Sequence, residues 1–501
     1  MTSSSQTPTG TQPKTGLQRR ELLLSASALV AAGAVATGGF GLPVLRGAFG
    51  SGMAAMAAEP QPNIIHIVSD DQGWKDVGFH GSDIKTPNID RLAETGAELT
   101  QFYAQPMCSQ TRAAMLTGRY PLRTGFQTAV IPSGGLYGVP VDEWLLPQAL
   151  KDAGYETALV GKWHIGHAKP EYWPRQRGFD YFYGAMVGEI DHFKHEAHGE
   201  GDWYRNNDRI EEEGYDTTLF GNEAVKRIEE HDLSKPLYLY LAFTAPHTPY
   251  QVPDEYLDNY PEIADTSRRT YAAMITAMDD QIGHVLEALD KRGMRENTLI
   301  VFHSDNGGTR SAKFTGESKV TGELPPNNGS YRDGKGTIYE GGTRVVALAN
   351  WAGKIKPGKV DGMMHVVDIY PTLVGLAGGT LDKTKPLDGL DVWGAISEGK
   401  VSPRTEVVYN VQPWAAGVRQ GDWKLVWQAL IPGTLELFDL AADPSEAKNL
   451  AEANPAKVKE LQARIAELAA QAAPPLFMTD AFRLILSEPP STPEGFFEVS
   501  D

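Results

Sequence analysis

The chain has 501 residues, a formal net charge of −18 and a single cysteine. A chain of this length buries one large core and a smaller satellite domain, and its acidic surface repels nucleic acid and anionic membranes. The composition therefore excludes a nucleic-acid-binding protein and a disulfide scaffold, and any anionic ligand must be captured by a local group of cations.

The first 57 residues predict an export signal. Arg19 and Arg20 directly precede a weakly apolar run rich in alanine and glycine, and Ala55 and Ala57 give a small-residue cleavage pattern. This layout is typical of a twin-arginine signal. A transmembrane anchor is the alternative, but the glycines make a poor membrane helix. We therefore expect an exported protein, periplasmic or secreted, without a stable membrane anchor.

Residues 58–400 alternate predicted strands with amphipathic helices. Buried strands are expected at 63–68, within 143–166, within 235–247 and at 298–304. A helix that begins near Thr86 or Asn88 ends at Gly96, and a long helix precedes the last of these strands. This alternation predicts an α/β fold with a large mixed, mostly parallel sheet flanked by helices.

Residues 401–475 predict a smaller C-terminal α+β domain. Short strands alternate with turns, which is typical of an antiparallel sheet, and Asn454 and Pro455 begin an amphipathic helix. Residues 476–501 are rich in proline, and we expect them to form an extended tail on the surface.

Polar side chains follow the predicted strands of the larger domain. In open α/β sheets, ligands bind outside the carboxyl ends of the strands, so we expect these side chains to meet. One such residue alone is more often part of a solvated turn or a helix cap, and only the repetition of the pattern indicates a site. The residues are Asp70, Asp71, Lys162, His164, His247, Asp305 and Asn306.

The acidic members of this group predict a metal site. Their carboxylate and amide oxygens suit a hard cation such as calcium or magnesium, whereas zinc needs more nitrogen and sulfur ligands. The basic side chains complete a pocket for a small, multiply charged oxyanion. These basic residues are Arg112, Lys162, His164, His247 and Lys335.

Cys108, in "PMCSQTRAAMLTGRY", is either an inert buried thiol or a residue with a chemical role. A thiolate activated by a histidine is one possible nucleophile. A soft thiolate, however, matches a hard, oxygen-lined metal site poorly. An oxygen nucleophile fits such a site better.

Two segments, "PMCSQTRAAMLTGR" and "GYETALVGKWH", resemble the signature segments of the sulfatase family. Further segments, among them "SDDQG", "SDNGG" and "LFDLAADPSEAKNLA", follow in family order over essentially the whole chain after the leader. The arylsulfatase B branch, of the N-acetylgalactosamine 4-sulfatase type, resembles it most. The resemblance implies an alkaline-phosphatase-like fold and the hydrolysis of an aryl or carbohydrate sulfate ester.

The resemblance also implies a modified nucleophile. In the family, a maturation enzyme oxidises the cysteine of a C-x-(P/A)-x-R motif to formylglycine, whose hydrated aldehyde attacks the sulfur. The second hydroxyl loses its proton when sulfate leaves. This chain departs from the motif at Gln110, where the family has Pro or Ala, but the auxiliary segment 116–119 is intact. We expect conversion of Cys108.

Matching positions imply a role for each site residue. One calcium ion would be held by the four oxygen-bearing side chains of the metal site together with the formylglycine at position 108. Arg112 would hold the formylglycine hydroxyl, and Lys162 and Lys335 would bind sulfate oxygens. His247, with Lys335, would protonate the departing alcohol, and His164 would accept a proton as sulfate is expelled.

Two other functions stay open. The first is a phosphonate monoester or phosphodiester hydrolase of the same superfamily. Two-metal members place a histidine beside the strand-end aspartate, and Asn306 at that position favours a single metal. The second is a sulfated-glycan binding protein without turnover, if Cys108 is not converted.

The segment 188–216 resembles a loop region that borders the family's pocket. Its histidines and aromatic residues could bond to a sugar or stack on it, or the segment could be a solvated surface hairpin. These residues are His192, His195, His198, Trp203 and Tyr204. Aryl, steroid and glycan sulfates all stay open as substrates, as do the oligomeric state and the choice between calcium and magnesium.

Overall fold

The computed structural model describes residues 60–311, 324–429 and 431–487. The export signal predicted over residues 1–57 lies outside the described residues. No helix within the described part of the chain is long and apolar enough to cross a membrane.

The dominant element is a ten-stranded sheet with the order β13-β2-β12-β11-β1-β10-β4-β5-β8-β9. Its five central strands, from β11 to β5, run parallel, and antiparallel strands flank them on both sides. This confirms the predicted mixed, mostly parallel sheet. In chain order the strands are β1 (Asn63–Ser69), β2 (Ala97–Leu99), β3 (Phe102–Tyr103), β4 (Glu156–Gly161), β5 (Tyr181–Gly184), β6 (Glu196–Ala197), β7 (Glu200–Gly201), β8 (Tyr204–Arg205), β9 (Asp208–Arg209), β10 (Leu237–Ala242), β11 (Thr298–Ser304), β12 (Ala347–Asn350), β13 (Gly358–Val360), β14 (Met364–His365), β15 (Glu406–Gln412), β16 (Ala415–Gln420), β17 (Trp423–Gln428) and β18 (Thr434–Asp439).

The register of the central strands sets the position of the site. Ser69 at the end of β1 lies opposite Ser304 at the end of β11. On the other side of β1, Ala242 of β10 pairs with Gly161 of β4. The residues that follow these strands therefore leave the sheet at the same edge and at nearly the same height, as expected for parallel strands.

Helices cover both faces of the sheet. Ile65 and Ile67 of β1 pack into one core with α1, α5 and α7, whereas Ile64 and Val68 point into the other with α2, α4 and α9. This alternation is the period of two that a strand imposes on its side chains. The helices are α1 (Pro87–Glu94), α2 (Cys108–Thr117), α3 (Pro121–Thr124), α4 (Leu146–Asp152), α5 (Asp216–Glu230), α6 (Asp254–Leu257), α7 (Thr266–Lys291), α8 (Glu340–Thr343), α9 (Ile369–Leu376), α10 (Trp393–Glu398), α11 (Pro455–Ala469) and α12 (Leu476–Ser487).

The C-terminal part contains the predicted antiparallel sheet, in the order β15-β16-β17-β18. Helix α11 follows it, beginning at Pro455 with Asn454 as its N-cap. Val408, Val418 and Leu425 of this small sheet belong to the same buried core as α2 and α9. The small sheet therefore shares the core on the α2 side of the large sheet, and Cys108 begins that helix.

The prediction of an extended tail from residue 476 is wrong for its first half. Residues Leu476–Ser487 form α12. The prolines of this region lie before residue 476 and after residue 487, so the twelve residues between them carry a continuous apolar pattern without a helix breaker. The backbone N–H of Leu476 donates to Gly125 O at 2.9 Å, and Leu136 N donates to the Asp480 carboxylate at 3.0 Å. Residues 488–501 lie outside the described residues.

Candidate active site and metal centre

The acidic residues of the site lie directly after the ends of two strands. Asp70 and Asp71 follow β1, and Asp305 and Asn306 follow β11, with all four side chains buried. Asp71 has a φ of 65°, in the left-handed region that non-glycine residues adopt at a cost. Strained backbone of this kind is often found at functional sites, where the surrounding structure holds it in place.

Cys108 lies within this acidic cluster. Its Sγ is 3.6 Å from Asp70 Oδ1. Asp70, Asp71, Cys108 and His247 each offer one ligand atom, and these atoms all lie within 4.8 Å of one another. The backbone N–H of Asp71 is 3.3 Å from Asp305 Oδ1, which connects the second strand end to the same cluster. The structure thus brings together residues that are far apart in the sequence.

The cluster fits a hard cation. The Nδ2 of Asn306 donates to Asp71 Oδ1 at 2.8 Å, but its Oδ1 is buried and has no hydrogen-bond partner among the described residues. Leaving a buried acceptor unpaired costs about 1–3 kcal/mol, so such atoms mark places where something else binds. Because the neighbouring donors are carboxylate oxygens, calcium or magnesium suits the set of Asp70, Asp71, Asp305 and Asn306.

The carboxylates are crowded as well as buried. Burial and the nearby charge of Asp70 raise the pKa of Asp305 to about 6, even though Arg112 donates to it from Nε at 3.2 Å and Nη2 at 2.9 Å. Burial also favours the neutral form of Asp71, but Lys335 and His247 outweigh it and hold the pKa of Asp71 well below its usual range. A cation here would relieve the repulsion that raises the pKa of Asp305.

The thiol of Cys108 is unsuited to act as a nucleophile itself. It is 2% exposed, and burial raises the pKa of Cys108 far above its usual range despite the nearby charge of Lys162. The thiol is therefore protonated at neutral pH, and the thiolate is the reactive form. Cys108 begins α2, and Arg112 follows one turn later on the same face of the helix.

Two lysines bind the acidic residues from opposite sides of the cluster. Lys162, directly after β4, is buried and contacts the carboxylate of Asp70. Lys335 Nζ lies 2.7 Å from Asp71 Oδ2. Both ammonium groups act to lower the pKa of the Cys108 thiol, although burial outweighs them. They provide the local cations that an acidic protein needs to capture an anion.

His247 and Lys335 form a hydrogen-bonded pair. His247 Nδ1 lies 2.6 Å from the backbone oxygen of Thr248, and its Nε2 lies 3.1 Å from Lys335 Nζ. A carbonyl oxygen only accepts, so Nδ1 carries the hydrogen and Nε2 accepts from the lysine. Burial and Lys335 lower the pKa of His247 to about 3, which keeps the ring neutral.

His164 has one ring nitrogen without a partner. Its Nε2 lies 3.0 Å from the backbone oxygen of Ile131, whereas Nδ1 is buried without a partner among the described residues. Burial and Lys162 hold the pKa of His164 well below its usual value. A Cβ on Gly188 would lie 2.2 Å from the ring's Cε1, so only glycine fits against this histidine. Nδ1 is therefore a free acceptor for a proton.

These groups line a pocket with a volume of about 330 Å³, which Cys108, His164, His247 and Lys335 share with Glu189 and His198. Glu189 is not among the site residues predicted from the sequence. Its carboxyl group is largely buried, and burial raises its pKa against the pull of Lys335 and Lys162. A single-sequence pattern could not reveal it, because its proximity to the lysines arises only in the fold.

Within the segment 188–216, the structure places His198 at the pocket and the other singled-out residues elsewhere. His192 is buried between Asp216, at 2.9 Å, and the backbone oxygen of His247, at 3.0 Å. His195 stacks on Trp203 at 4.1 Å between ring centroids, and both are buried. The interpretation as a solvated hairpin is therefore wrong for these residues. His192 holds the backbone of His247 and does not reach the pocket.

Comparisons with known proteins identify a family. A family model described as Sulfatase matches residues 62–379, and a model described as N-sulphoglucosamine sulphohydrolase, C-terminal, matches residues 330–471. Arylsulfatase J of Mus musculus is 35% identical over 477 residues, which cover 84% of this chain and 78% of that protein. N-acetylgalactosamine-6-sulfatase of Homo sapiens is 34% identical over 382 residues, covering 72% of this chain and 70% of that protein.

A solved structure shows the same architecture. The crystal structure of Ps i-CgsB in complex with k-i-k-neocarrahexaose superposes with a TM-score of 0.75 and 32% sequence identity. The match covers 84% of this chain and 98% of that one.

Proposed function

Because the chain belongs to the sulfatase family, we propose that this sulfatase hydrolyses a carbohydrate or aryl sulfate ester with a formylglycine at position 108 and one calcium ion. The observation that carries the proposal is the cluster in which donor atoms of Asp70, Asp71, Cys108 and His247 lie within 4.8 Å of one another. The protonated thiol supports it further, because an unmodified cysteine would be inert in this position.

The chain's own residues bind and orient the substrate. Lys162 and Lys335 bind the sulfate oxygens and offset charge on the transferring group. Arg112, fixed on Asp305 and on the backbone oxygen of Lys162 at 3.0 Å, holds the hydroxyl of residue 108. When bound, the calcium ion supplies positive charge beside the sulfate, and the formylglycine supplies an oxygen nucleophile that the thiol cannot.

Proton transfer falls to the two histidines. Lys335 donates its hydrogen to His247 Nε2, so the pair holds a proton that it can pass to the oxygen of the departing alcohol. Such general acid catalysis contributes roughly 10²–10⁴-fold. His164 offers its unpartnered Nδ1 as the acceptor of the proton that residue 108 releases when sulfate leaves.

The test compares nitrophenyl sulfate with nitrophenyl phosphate, using protein made in a host with the formylglycine-forming enzyme. We expect the sulfate ester to be hydrolysed faster, and we expect the mass of the tryptic peptide containing residue 108 to match formylglycine. A cysteine mass alone would refute conversion, and faster hydrolysis of the phosphate would favour the phosphonate or phosphodiester hydrolase. Binding of sulfated sugars without turnover would favour the non-catalytic alternative.

We also propose that the protein is exported through a twin-arginine signal and meets its substrate outside the cytoplasm. The arrangement of Arg19, Arg20 and the following apolar run supports this. Replacing both arginines by lysine should leave the protein in the cytoplasm at its full length. Normal export of that variant, measured by cell fractionation and N-terminal sequencing, would contradict the proposal.

A further inference from the structure

A second cleft adjoins the pocket of Cys108. Its volume is about 570 Å³, within the range of roughly 300–1,000 Å³ that is typical of ligand sites. Met107 and Val130 line both cavities, so the two are direct neighbours. The far wall is formed by the small antiparallel sheet, including Asn410 and Trp414. We call this cavity the Trp414 cleft.

Two side chains that line this cleft, Gln110 and Thr128, are 1% and 7% exposed. Each holds a buried polar atom, Oε1 and Oγ1, without a hydrogen-bond partner among the described residues. Buried polar groups in folded proteins are nearly always paired, so both side chains keep an unused hydrogen-bonding atom beside the cleft. An amide oxygen accepts hydrogen bonds, and a hydroxyl can both donate and accept, which matches the hydroxyl groups of a sugar.

The remaining lining favours a neutral, hydroxyl-rich ligand. Asp333 is the one charged side chain among the described residues that line the cleft. Trp414 lies in the turn between β15 and β16 and is 37% exposed, which leaves part of its ring open to a ligand. A large, flat aromatic ring packs well on the apolar face of a sugar ring. The pocket of Cys108, in contrast, is lined by Glu189 and Lys335 together with three histidines.

We propose that the Trp414 cleft binds an uncharged sugar unit next to the sulfated one, so that the substrate is an oligosaccharide whose neighbouring unit carries no sulfate or carboxylate. This inference depends on the proposed function, because the sulfated unit must lie at residue 108. It also gives a reason for the departure from the family motif. Gln110 adds an amide to the side chains that line the cleft, which Pro or Ala would not.

The experiment measures kcat/KM for nitrophenyl sulfate and for three defined sugars. These are a monosulfated hexose, a trisaccharide in which the sulfated hexose has neutral neighbours, and the same trisaccharide with a uronic acid beside the sulfated unit. For the unsubstituted protein, we expect kcat/KM for the neutral trisaccharide to exceed that for each of the other two sugars by about tenfold or more, a ratio that corresponds to one good aromatic contact.

The matched variants are Trp414→Ala, Trp414→Phe, Gln110→Ala and Phe482→Ala. Trp414→Ala and Gln110→Ala should each lower the ratio of kcat/KM for the neutral trisaccharide to that for nitrophenyl sulfate by about tenfold. Gln110→Ala restores the family motif, so conversion of Cys108, measured by mass, should be retained. Trp414→Phe retains an aromatic ring, so most of this kcat/KM ratio should be retained. Phe482 is an exposed aromatic residue outside the cleft, and Phe482→Ala should leave the ratio unchanged.

The outcomes separate the two proposals. Equal kcat/KM for the hexose and the neutral trisaccharide, with hydrolysis of nitrophenyl sulfate, would contradict sugar binding in the Trp414 cleft and leave the proposed function intact. A preference for the uronic acid would overturn the claim of a neutral neighbour. If fully converted protein hydrolyses no sulfate ester, the proposed function fails. Calorimetry of neutral trisaccharide binding then still tests whether the Trp414 cleft binds sugar. Trp414→Ala should abolish this binding if the inference is correct and leave it intact otherwise.

Discussion

At the scale of single residues, the pair of His247 and Lys335 gives the most direct prediction. Lys335→Met removes both the cation that binds sulfate and the group that donates to His247 Nε2 at 3.1 Å. For a carbohydrate sulfate, kcat should fall by roughly 10²–10⁴-fold, because the alcohol then leaves without a proton. The loss should be smaller for nitrophenyl sulfate, whose leaving group is stable as an anion.

The control for this prediction is Lys359→Ala, since Lys359 is an exposed lysine that pairs with Glu98 at 3.1 Å, away from the site. Its kinetics should match those of the unsubstituted protein. An equal loss for the two substrates in Lys335→Met would mean that Lys335 binds sulfate but has no part in protonating the leaving group.

Gly188 provides a second prediction at this scale. A Cβ there would lie 2.2 Å from Cε1 of His164, so Gly188→Ala must displace the imidazole. Misplacing a catalytic group by about 1 Å can cost 10²-fold, and we expect a fall of about that size in kcat with an unchanged melting temperature. In Gly134→Ala the new methyl group meets nothing within 4 Å, so this variant should retain full activity. Similar activity in the two variants would remove His164 from the mechanism.

The sequence predicted the strand-end residues of the site but not the groups that support them. Asp70, Asp305 and Lys162 follow directly from apolar strands, and the parallel register brings them together. Glu189 and His192 lie near the site in an irregular segment, and no pattern of apolar residues predicts where such a segment runs. Their partners are distant in the sequence, and only the folded chain shows them.

At the scale of elements, a buried charge cluster connects the small sheet to α8. Lys424 of β17 lies 2.9 Å from Glu340 of α8 and 2.8 Å from Glu446. Burial raises the pKa of Glu446 to about 7 even beside this lysine, whereas Lys424 outweighs burial and lowers the pKa of Glu340 to about 2. Lys424 is therefore shared by two buried carboxyl groups, and Arg344 and Arg419 add positive charge beside Glu340.

Lys424→Met should lower the free energy of unfolding by about 3–5 kcal/mol, because it leaves the buried Glu446 without an ion pair among the described residues and leaves Glu340 with Arg344 at 3.6 Å. Urea unfolding at pH 7 measures the change. The control is Lys400→Met, which removes an exposed pair with Glu398 at 2.8 Å and should cost less than about 1 kcal/mol. A loss in Lys424→Met as small as that in the control would show that the cluster contributes little.

The secondary structure was easier to predict where a regular pattern of apolar residues runs between two clear boundary residues. The strand over residues 298–304 and the helix that begins at Pro455 agree with their predictions. Helix α12 was missed because the prolines on both sides dominated the composition of the tail, although the segment between them is free of proline and glycine.

At the scale of the whole molecule, buried histidines make stability depend on pH. Burial and Arg404 hold the pKa of His365 well below its usual value, so this ring stays neutral in the fold. Below about pH 6.5 the unfolded chain takes up a proton at this position while the folded chain does not. The contribution of His365 to stability is therefore complete above that pH and is lost as the pH falls.

His365→Gln should make the decrease in the free energy of unfolding between pH 6.5 and pH 5 less steep, by up to about 1.4 kcal/mol per pH unit. Urea titrations across this range measure the slope. His284 is exposed, and His284→Gln should leave the slope unchanged. An identical slope in His365→Gln and the unsubstituted protein would mean that His365 is protonated in the folded state.

The general architecture was predictable from the alternation of elements, but the contact between the two sheets was not. Val408 and Leu425 of the small sheet join the core beneath α2, a packing that depends on three-dimensional shape and has no counterpart in local periodicity. The wall that this sheet gives to the Trp414 cleft was for the same reason absent from the sequence analysis.

The burial of Cys108 at the start of α2 limits the time at which this residue could be modified. In the finished fold, the side chain of Cys108 is 2% exposed. If residue 108 is oxidised as proposed, the modifying enzyme must reach it before the chain has folded. Oxidation and folding would then compete for each newly made chain, and a molecule that folds first would keep its thiol. The active fraction of a preparation would then be decided during synthesis, and no later incubation of the native protein with the modifying enzyme would raise it.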